Sequence, residues 1–228
     1  MKKIIICILF TSSILTYAQF SLSNNGSGLL QGNAIFNKVN SSNGGKSLTY
    51  DEIAGTPYYG KGYNPAKFSG TEETALVRYN AFTDEVEVQK DDKTFVLPKN
   101  GTFNKITFTN SKEIIVKLDT GDDLSGYFFE IVDGKYGLYK KIRTKFIDAA
   151  PAANSYATDR PASFKSLDPV YYIKTPNGFV KNTKATKDII KGLPERKNEL
   201  ETYFNANKTR LDKQEDLIKL INFLNSKS

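Results

Sequence analysis

The chain of 228 residues contains no histidine, one cysteine and one methionine. The cysteine is Cys7 and the methionine is Met1, so beyond residue 7 the sequence offers no imidazole, thiol or thioether. That excludes a Ser-His-Asp or Cys-His nucleophilic centre, zinc sites built on His or Cys, iron–sulfur clusters and haem held by any of the three. It also excludes an intramolecular disulfide, although an oxidising compartment would tolerate one. Any chemistry falls to carboxylates, Lys, Tyr, Ser and Thr, or to an oxygen-ligated cation, and no cofactor is expected.

Long apolar runs are missing too. The one at the start, residues 4–10 resuming at Ile14 and Leu15, is shorter than the roughly 20 residues a bilayer-spanning helix needs. It follows Met1-Lys2-Lys3 and precedes Ala18-Gln19. A positive start, a short greasy middle and a small residue at the end read as a secretory signal peptide over residues 1–18; the alternative is an uncleaved anchor. Cys7 lies too early to be the acylated cysteine of a lipoprotein. The expectation is a periplasmic protein with no membrane-spanning segment after cleavage. The full chain's formal charge of +7 invites a nucleic-acid reading, but an exported chain seldom meets nucleic acid. The lysines of the C-terminal third read as solvated helix faces, and no nucleic-acid partner is expected.

Four segments follow one another. Residues 1–18 are the signal peptide. Residues 19–50, rich in Asn, Ser and Gly, read as a flexible arm with at most a short strand at Ala34-Ile35-Phe36. Residues 51–180 read as a β-rich domain, opening with an aromatic loop over residues 51–68 in which Tyr58, Tyr59 and Tyr63 sit among turn formers. Between residues 74 and 143 the period is two: Val86 and Val88 alternate with Glu85, Glu87 and Gln89, Ile106 and Phe108 with Lys105 and Thr107, and Ile114, Val116 and Leu118 share a face. Turn formers such as Thr83-Asp84, Asn110-Ser111 and Asp133-Gly134 recur between them, which predicts about seven strands in an antiparallel meander. After a Pro/Ala/Ser-rich connection over residues 149–166, Val170-Tyr171-Tyr172-Ile173 is one further strand.

Residues 181–228 form a C-terminal helical segment. Ile189, Ile190 and Leu193, then Leu200, Tyr203 and Phe204, then Leu217, Leu220, Ile221 and Leu224 recur at helical spacing. Asp212 with Glu215 suggests a capping box for the last helix. The fold class is therefore α+β: an antiparallel β-meander, as a sheet or a partly closed small barrel, followed by short C-terminal helices.

Three motifs invite chemistry and read better as turns. Gly45-Lys46-Ser47 ends like a phosphate-binding loop, but no strand leads in and no helix follows. Asp119-Thr120-Gly121 follows an apolar run as in aspartic proteases, yet it has no second copy, and Asp and Gly between strands are ordinary turn chemistry. Asp119 with Asp122 and Asp123, and Asp91 with Asp92, lack the spacing of a calcium loop. Glu85, Glu87, Glu130, Asp133 and Asp168 are available to a glycosidase-like pair, though nothing in the sequence pairs them. Arg78 and Tyr79 offer a guanidinium and a stacking face to a carboxylate or partner; the plainer reading has Arg78 paired with a nearby Glu and Tyr79 in the core. Tyr58, Tyr59 and Tyr63 are candidates for an interface or sugar surface, or for core.

Gly55-Thr56-Pro57-Tyr58, then Arg78-Tyr79-Asn80 with Asp84 to Glu87, then Tyr171-Tyr172-Ile173, then a Lys-rich end with Asp216-Leu217 and Asn222, resemble in that order a family of uncharacterised exported, periplasmic proteins of the Bacteroidota. The resemblance covers roughly residues 53–225. It implies an envelope location and no particular reaction, and it brings in the small soluble proteins that attach to outer-membrane machines such as the type IX secretion translocon. The expectation is a non-enzymatic interaction protein, an accessory or plug-like subunit of an outer-membrane protein complex, contacting its partner through Tyr58, Tyr59, Tyr63, Arg78 and Tyr79. The alternatives are a carboxylate-dependent hydrolase or a glycan-binding module.

Overall fold

The computed structural model describes residues 30–31, 37–41, 45–70, 73–90, 92–99, 103–154 and 156–226. The expected signal peptide and the strand expected at Ala34-Ile35-Phe36 lie outside them. The strands are β1 (Leu30–Gln31), β2 (Lys38–Asn40), β3 (Ser47–Thr49), β4 (Tyr58–Phe68), β5 (Thr74–Asn80), β6 (Glu85–Lys90), β7 (Lys93–Val96), β8 (Lys105–Phe108), β9 (Ile114–Leu118), β10 (Gly126–Val132), β11 (Gly137–Lys141), β12 (Thr144–Ile147), β13 (Ser163–Ser166), β14 (Val170–Thr175) and β15 (Gly178–Lys181). Three helices follow: α1 (Thr186–Gly192), α2 (Lys197–Ala206) and α3 (Gln214–Ser226).

Eleven strands form one open antiparallel sheet in the order β1-β7-β6-β5-β4-β8-β9-β10-β11-β14-β15, while β2 with β3 and β12 with β13 make two separate hairpins. The chain is α+β, a β-meander that stays open, with helices at its C-terminal end. Sequential pairing is interrupted three times: β14 follows β11 because β12 and β13 pair apart, β1 takes the outer edge of β7, and β8 turns back to pair with β4 instead of β7. The long β4 makes this possible, because its second half pairs with β5 on one side and β8 on the other.

Two-residue alternation sorts the side chains between faces. One face carries Ala66, Phe68, Val77, Tyr79, Val86, Val88, Ile106, Phe108, Ile115, Tyr127 and Phe129 into a single buried cluster. Through Ile131 that cluster adjoins a second, where Leu138, Tyr171 and Ile173 meet Leu200, Leu217, Leu220, Ile221 and Leu224. Those four α3 residues are fully buried, each worth about 1.5–3 kcal/mol as transfer from water, so short helices are held by packing on the sheet. The opposite face buries Val116, Phe128, Tyr139 and Tyr172. Further along, Tyr50, Ile53, Ala162 and Phe164 pack with Tyr58, Phe82 and Phe146. No helix among the described residues is long and apolar enough to cross a membrane.

Four local expectations change. Residues 58–68 form an 11-residue strand where the sequence reads as a loop, because Gly60, Gly62 and Pro65 hide the alternation. Within the expected arm, Lys38–Asn40 pairs with Ser47–Thr49 as strands β2 and β3, followed by the buried ring of Tyr50. The Pro/Ala/Ser-rich connection contains β13, paired with β12. Asp212 does not open α3: the helix starts at Gln214, and the Asp212 carboxylate takes Arg210 at 3.1 Å.

Candidate functional site

The register between β4 and β5 creates the site. Tyr59 stands opposite Tyr79, and the next pair is Asn64 with Val77, so β4 carries three residues more than β5 between the same two rungs. The surplus is Gly60-Lys61-Gly62, and both glycines have positive φ, 79° and 139°, conformations that side-chain-bearing residues rarely adopt. A bulge of this kind re-aims what flanks it. Here it places Tyr58 and Tyr63, five residues apart, on one face with Arg78.

The Arg78 guanidinium lies between the two rings, its carbon 3.8 Å from the centre of Tyr58 and 4.4 Å from that of Tyr63. Its Nε and one terminal nitrogen stand 2.7 and 2.6 Å from Glu87 Oε2. Asn80 Nδ2 donates to Glu87 Oε1 at 3.2 Å, and the Tyr63 hydroxyl lies 2.9 Å from Thr94 Oγ1. Glu87 is only 3% exposed; a buried carboxylate is tolerable only when paired and hydrogen-bonded, and this one is both. The arrangement is a closed, neutral clamp that ties four strands, β4 to β7, with little spare capacity for proton transfer.

Tyr59 and Tyr79 face the other way. The Tyr59 ring centre is 4.5 Å from that of Phe129, and its hydroxyl donates to Glu113 Oε1 at 2.7 Å; burial, then the Glu113 carboxylate, push its phenol up to about 12. Tyr79 is 1% exposed and donates to Asp84 Oδ1 at 2.8 Å, with burial and Asp84 raising its phenol far above the ordinary range. The five candidate residues therefore do not share one surface. Tyr58, Tyr63 and Arg78 come together, while Tyr59 and Tyr79 sit on the opposite face with the core, as alternation requires of neighbours in a strand.

The remaining motifs are turns. Asp119 Oδ1 accepts from Gly121 N and Ser125 Oγ, and Asp122 accepts from Thr120 Oγ1, Leu124 N and the Tyr172 hydroxyl. Lys46 ends a turn before β3 and reaches Glu52 at 3.9 Å. Glu130 is paired with Lys105 at 2.8 Å and Asp133 with Lys174 at 3.8 Å, while Asp168 lines a separate cleft of about 190 Å³ with Asp212 and Lys213. Among the described residues, no three carboxylates gather closely enough to hold a metal ion.

Two features escaped the sequence reading. One is a cleft of about 280 Å³ beneath the Gly60–Gly62 bulge, closed on its far side by the β8–β9 turn. The other is Tyr156, 101% exposed, on a loop tied at its base by reciprocal backbone hydrogen bonds of 2.9 and 2.8 Å between Ala150 and Arg160. Its signal in the sequence was a lone aromatic among Ala, Pro, Ser and Asn, with no apolar neighbour at a strand or helix interval. No protein-family model, no curated protein and no solved structure matches this chain.

Proposed function

We propose that this is a non-enzymatic interaction protein of the periplasm that attaches to an outer-membrane protein complex, with Tyr156 and the described residues about it, 149–154 and 157–162, as its anchor. One observation carries the reading: the ring of Tyr156 is wholly exposed on a loop that is nonetheless held in shape. Besides the Ala150–Arg160 bridge, Ala152 N donates to Asp159 Oδ1 at 2.9 Å, Tyr156 N to Asn154 Oδ1 at 3.0 Å and Ala157 N to Asn154 O at 3.1 Å. Tyrosine is among the residues on which interfaces concentrate their energy, and ordering the loop beforehand removes part of the entropy lost on binding. The envelope setting, and the type IX secretion translocon as the first complex to test, come from the signal-peptide pattern and the family resemblance.

The clamp at Arg78 fits a scaffold that holds such a loop rigidly. The test is a photoreactive amino acid in place of Tyr156 in living cells, followed by mass spectrometry of the adducts. An outer-membrane protein recovered from position 156, and absent when the group sits at Lys165 on the adjacent strand, supports the reading. Adducts only to bulk proteins at both positions overturn it.

A further inference from the structure

We propose that the cleft beneath the β4 bulge binds one neutral sugar ring at the end of a glycan chain, a role independent of the Tyr156 loop. Its floor is apolar and its rim polar. Phe108 and the half-buried ring of Tyr59 form the floor, while Asn64 from β4 and Asn110 with Glu113 from the β8–β9 turn form the rim. These groups come from strands brought together only by the return of β8 to β4.

The rim is ordered without being saturated. Asn110 Nδ2 donates one hydrogen to Asn64 Oδ1 at 2.8 Å and keeps its second. Glu113 accepts from the Tyr59 hydroxyl on one oxygen and from Ser111 Oγ at 3.0 Å on the other, whereas a carboxylate offers about four acceptor sites. Spare donors and acceptors beside an aromatic floor suit hydroxyls, each of which both gives and takes a hydrogen bond.

Two further lining residues, Gly60 and Gly62 of the bulge, bring bare backbone to the cleft. A Cβ added at Gly60 or Gly62 would meet nothing within 4 Å, so the glycines leave open space, and glycine within a strand marks places where a ligand can approach the main chain. Charge and size narrow the class. Glu113 faces inward and repels anions, and of the two cations on the lining Arg78 is already neutralised by Glu87 while Lys61 stands exposed on the bulge. The volume, just under the about 300–1,000 Å³ of ordinary small-molecule sites, fits a single ring.

The experiment is a two-dimensional NMR titration of the isotope-labelled exported protein with N-acetylglucosamine, with glucose and, separately, with inorganic phosphate. Saturable shifts from either sugar in residues 59–64 and 108–113, with none there from phosphate, are expected. Asn110→Ala, at an exposed turn, and Glu113→Gln, which keeps an acceptor for Tyr59, should each weaken binding about tenfold, as loss of one hydrogen bond does, while the rest of the spectrum stays in place. The proposal is overturned by the absence of saturable shifts with both sugars, by shifts mapping elsewhere, by phosphate moving the same residues, or by unchanged affinity in both variants.

Discussion

Lys141 Nζ lies 2.7 Å from Asp84 Oδ1, joining the β5–β6 turn to β11 in the interior. The lysine side chain is 4% exposed. It also donates to Tyr127 O at 3.0 Å and lies 4.8 Å from the centre of the Phe128 ring. Asp84 gathers more than this one cation: Lys99 reaches its other oxygen at 3.0 Å, and the Tyr79 hydroxyl and Tyr127 N both donate to Oδ1. Its φ of 56° is in the left-handed region, which Asp and Asn tolerate better than most residues.

Asp84→Asn keeps that backbone preference and removes only the charge. Lys141 is then a buried cation without its counter-ion, and breaking a buried pair from one side costs about 3–5 kcal/mol. Urea unfolding at neutral pH should show a loss of that order. Burial already holds the Lys141 ammonium below its ordinary pKa against the pull of Asp84, and removing Asp84 lowers it further. Between that lowered value and the ordinary lysine range the unfolded chain binds more protons than the folded one. The variant should therefore recover stability as the pH rises through that window, and a flat pH profile would count against the account.

Gly126 is the floor under this carboxylate. A Cβ at position 126 would lie 1.9 Å from Asp84 Oδ2, and the residue has a φ of 144°. Gly126→Ala is expected to lose about 1–3 kcal/mol for the backbone and more because Asp84 is displaced. Both substitutions disrupt the same carboxylate, so Gly126→Ala combined with Asp84→Asn should lose less than the sum of the two, with an interaction energy of about 0.5–3 kcal/mol. Strict additivity would show that the two sites are uncoupled.

The Arg78 clamp separates charge from shape. Arg78→Lys keeps the charge but not the flat guanidinium between Tyr58 and Tyr63, and such an exchange at a stacked site is not conservative. A loss of about 1–2 kcal/mol is expected from the stacking alone. Arg78→Ala should lose about 3–5 kcal/mol by stranding the buried Glu87, and Glu87→Gln in the Ala background should restore part of it. Thermal unfolding of the three variants checks the order.

How far the sequence announced these arrangements depended on the distance over which they are decided. Val86 with Val88, Ile106 with Phe108 and the α3 stripe were legible because each records its burial at a local period. β4 was not, because Gly60, Gly62 and Pro65 break the alternation at the bulge that makes the site. For the same reason nothing in the spacing of Tyr58 and Tyr63 reveals that they share a face. That the adjacent Tyr58 and Tyr59 must point apart was readable once the segment is known to be a strand. The meeting of Asp84 with Lys141, 57 positions apart, leaves no local trace.

Asp122 supplies an acid-side test. Burial acts to raise its pKa, but the Tyr172 hydroxyl, with Thr120 Oγ1 and Leu124 N behind it, holds it down to about 2. A carboxyl lowered on folding contributes stability above its unfolded value of about 3.9 and loses it as the pH falls toward the folded value. Tyr172→Phe removes the leading donor and leaves the ring, whose centre is 5.3 Å from that of Phe128. The variant should be less stable by about 1.5–3 kcal/mol near neutrality, the range for a hydrogen bond to a charged group. The gap should narrow below about pH 4 and close only well below pH 2, where Asp122 is protonated in both states. A gap that persists undiminished as the pH falls below about 2 would place the loss in packing instead.

Tyr156 should behave in the opposite way to all of these. Its ring touches solvent on every side, and surface substitutions away from special features stay within about 0.5 kcal/mol. Tyr156→Ser should therefore leave the unfolding midpoint unchanged while, on the proposed function, abolishing co-purification of the proposed outer-membrane partner from solubilised envelopes. Arg160→Pro removes the Arg160 N donor to Ala150 O, one of the two reciprocal bonds, and loosens the base of the loop. It should weaken co-purification while keeping the tyrosine, because the ordering once built into the loop must then be supplied on binding. If both variants retain the partner at wild-type levels, the loop is not the anchor; if Tyr156→Ser unfolds the protein, the ring has a structural role that its exposure denies.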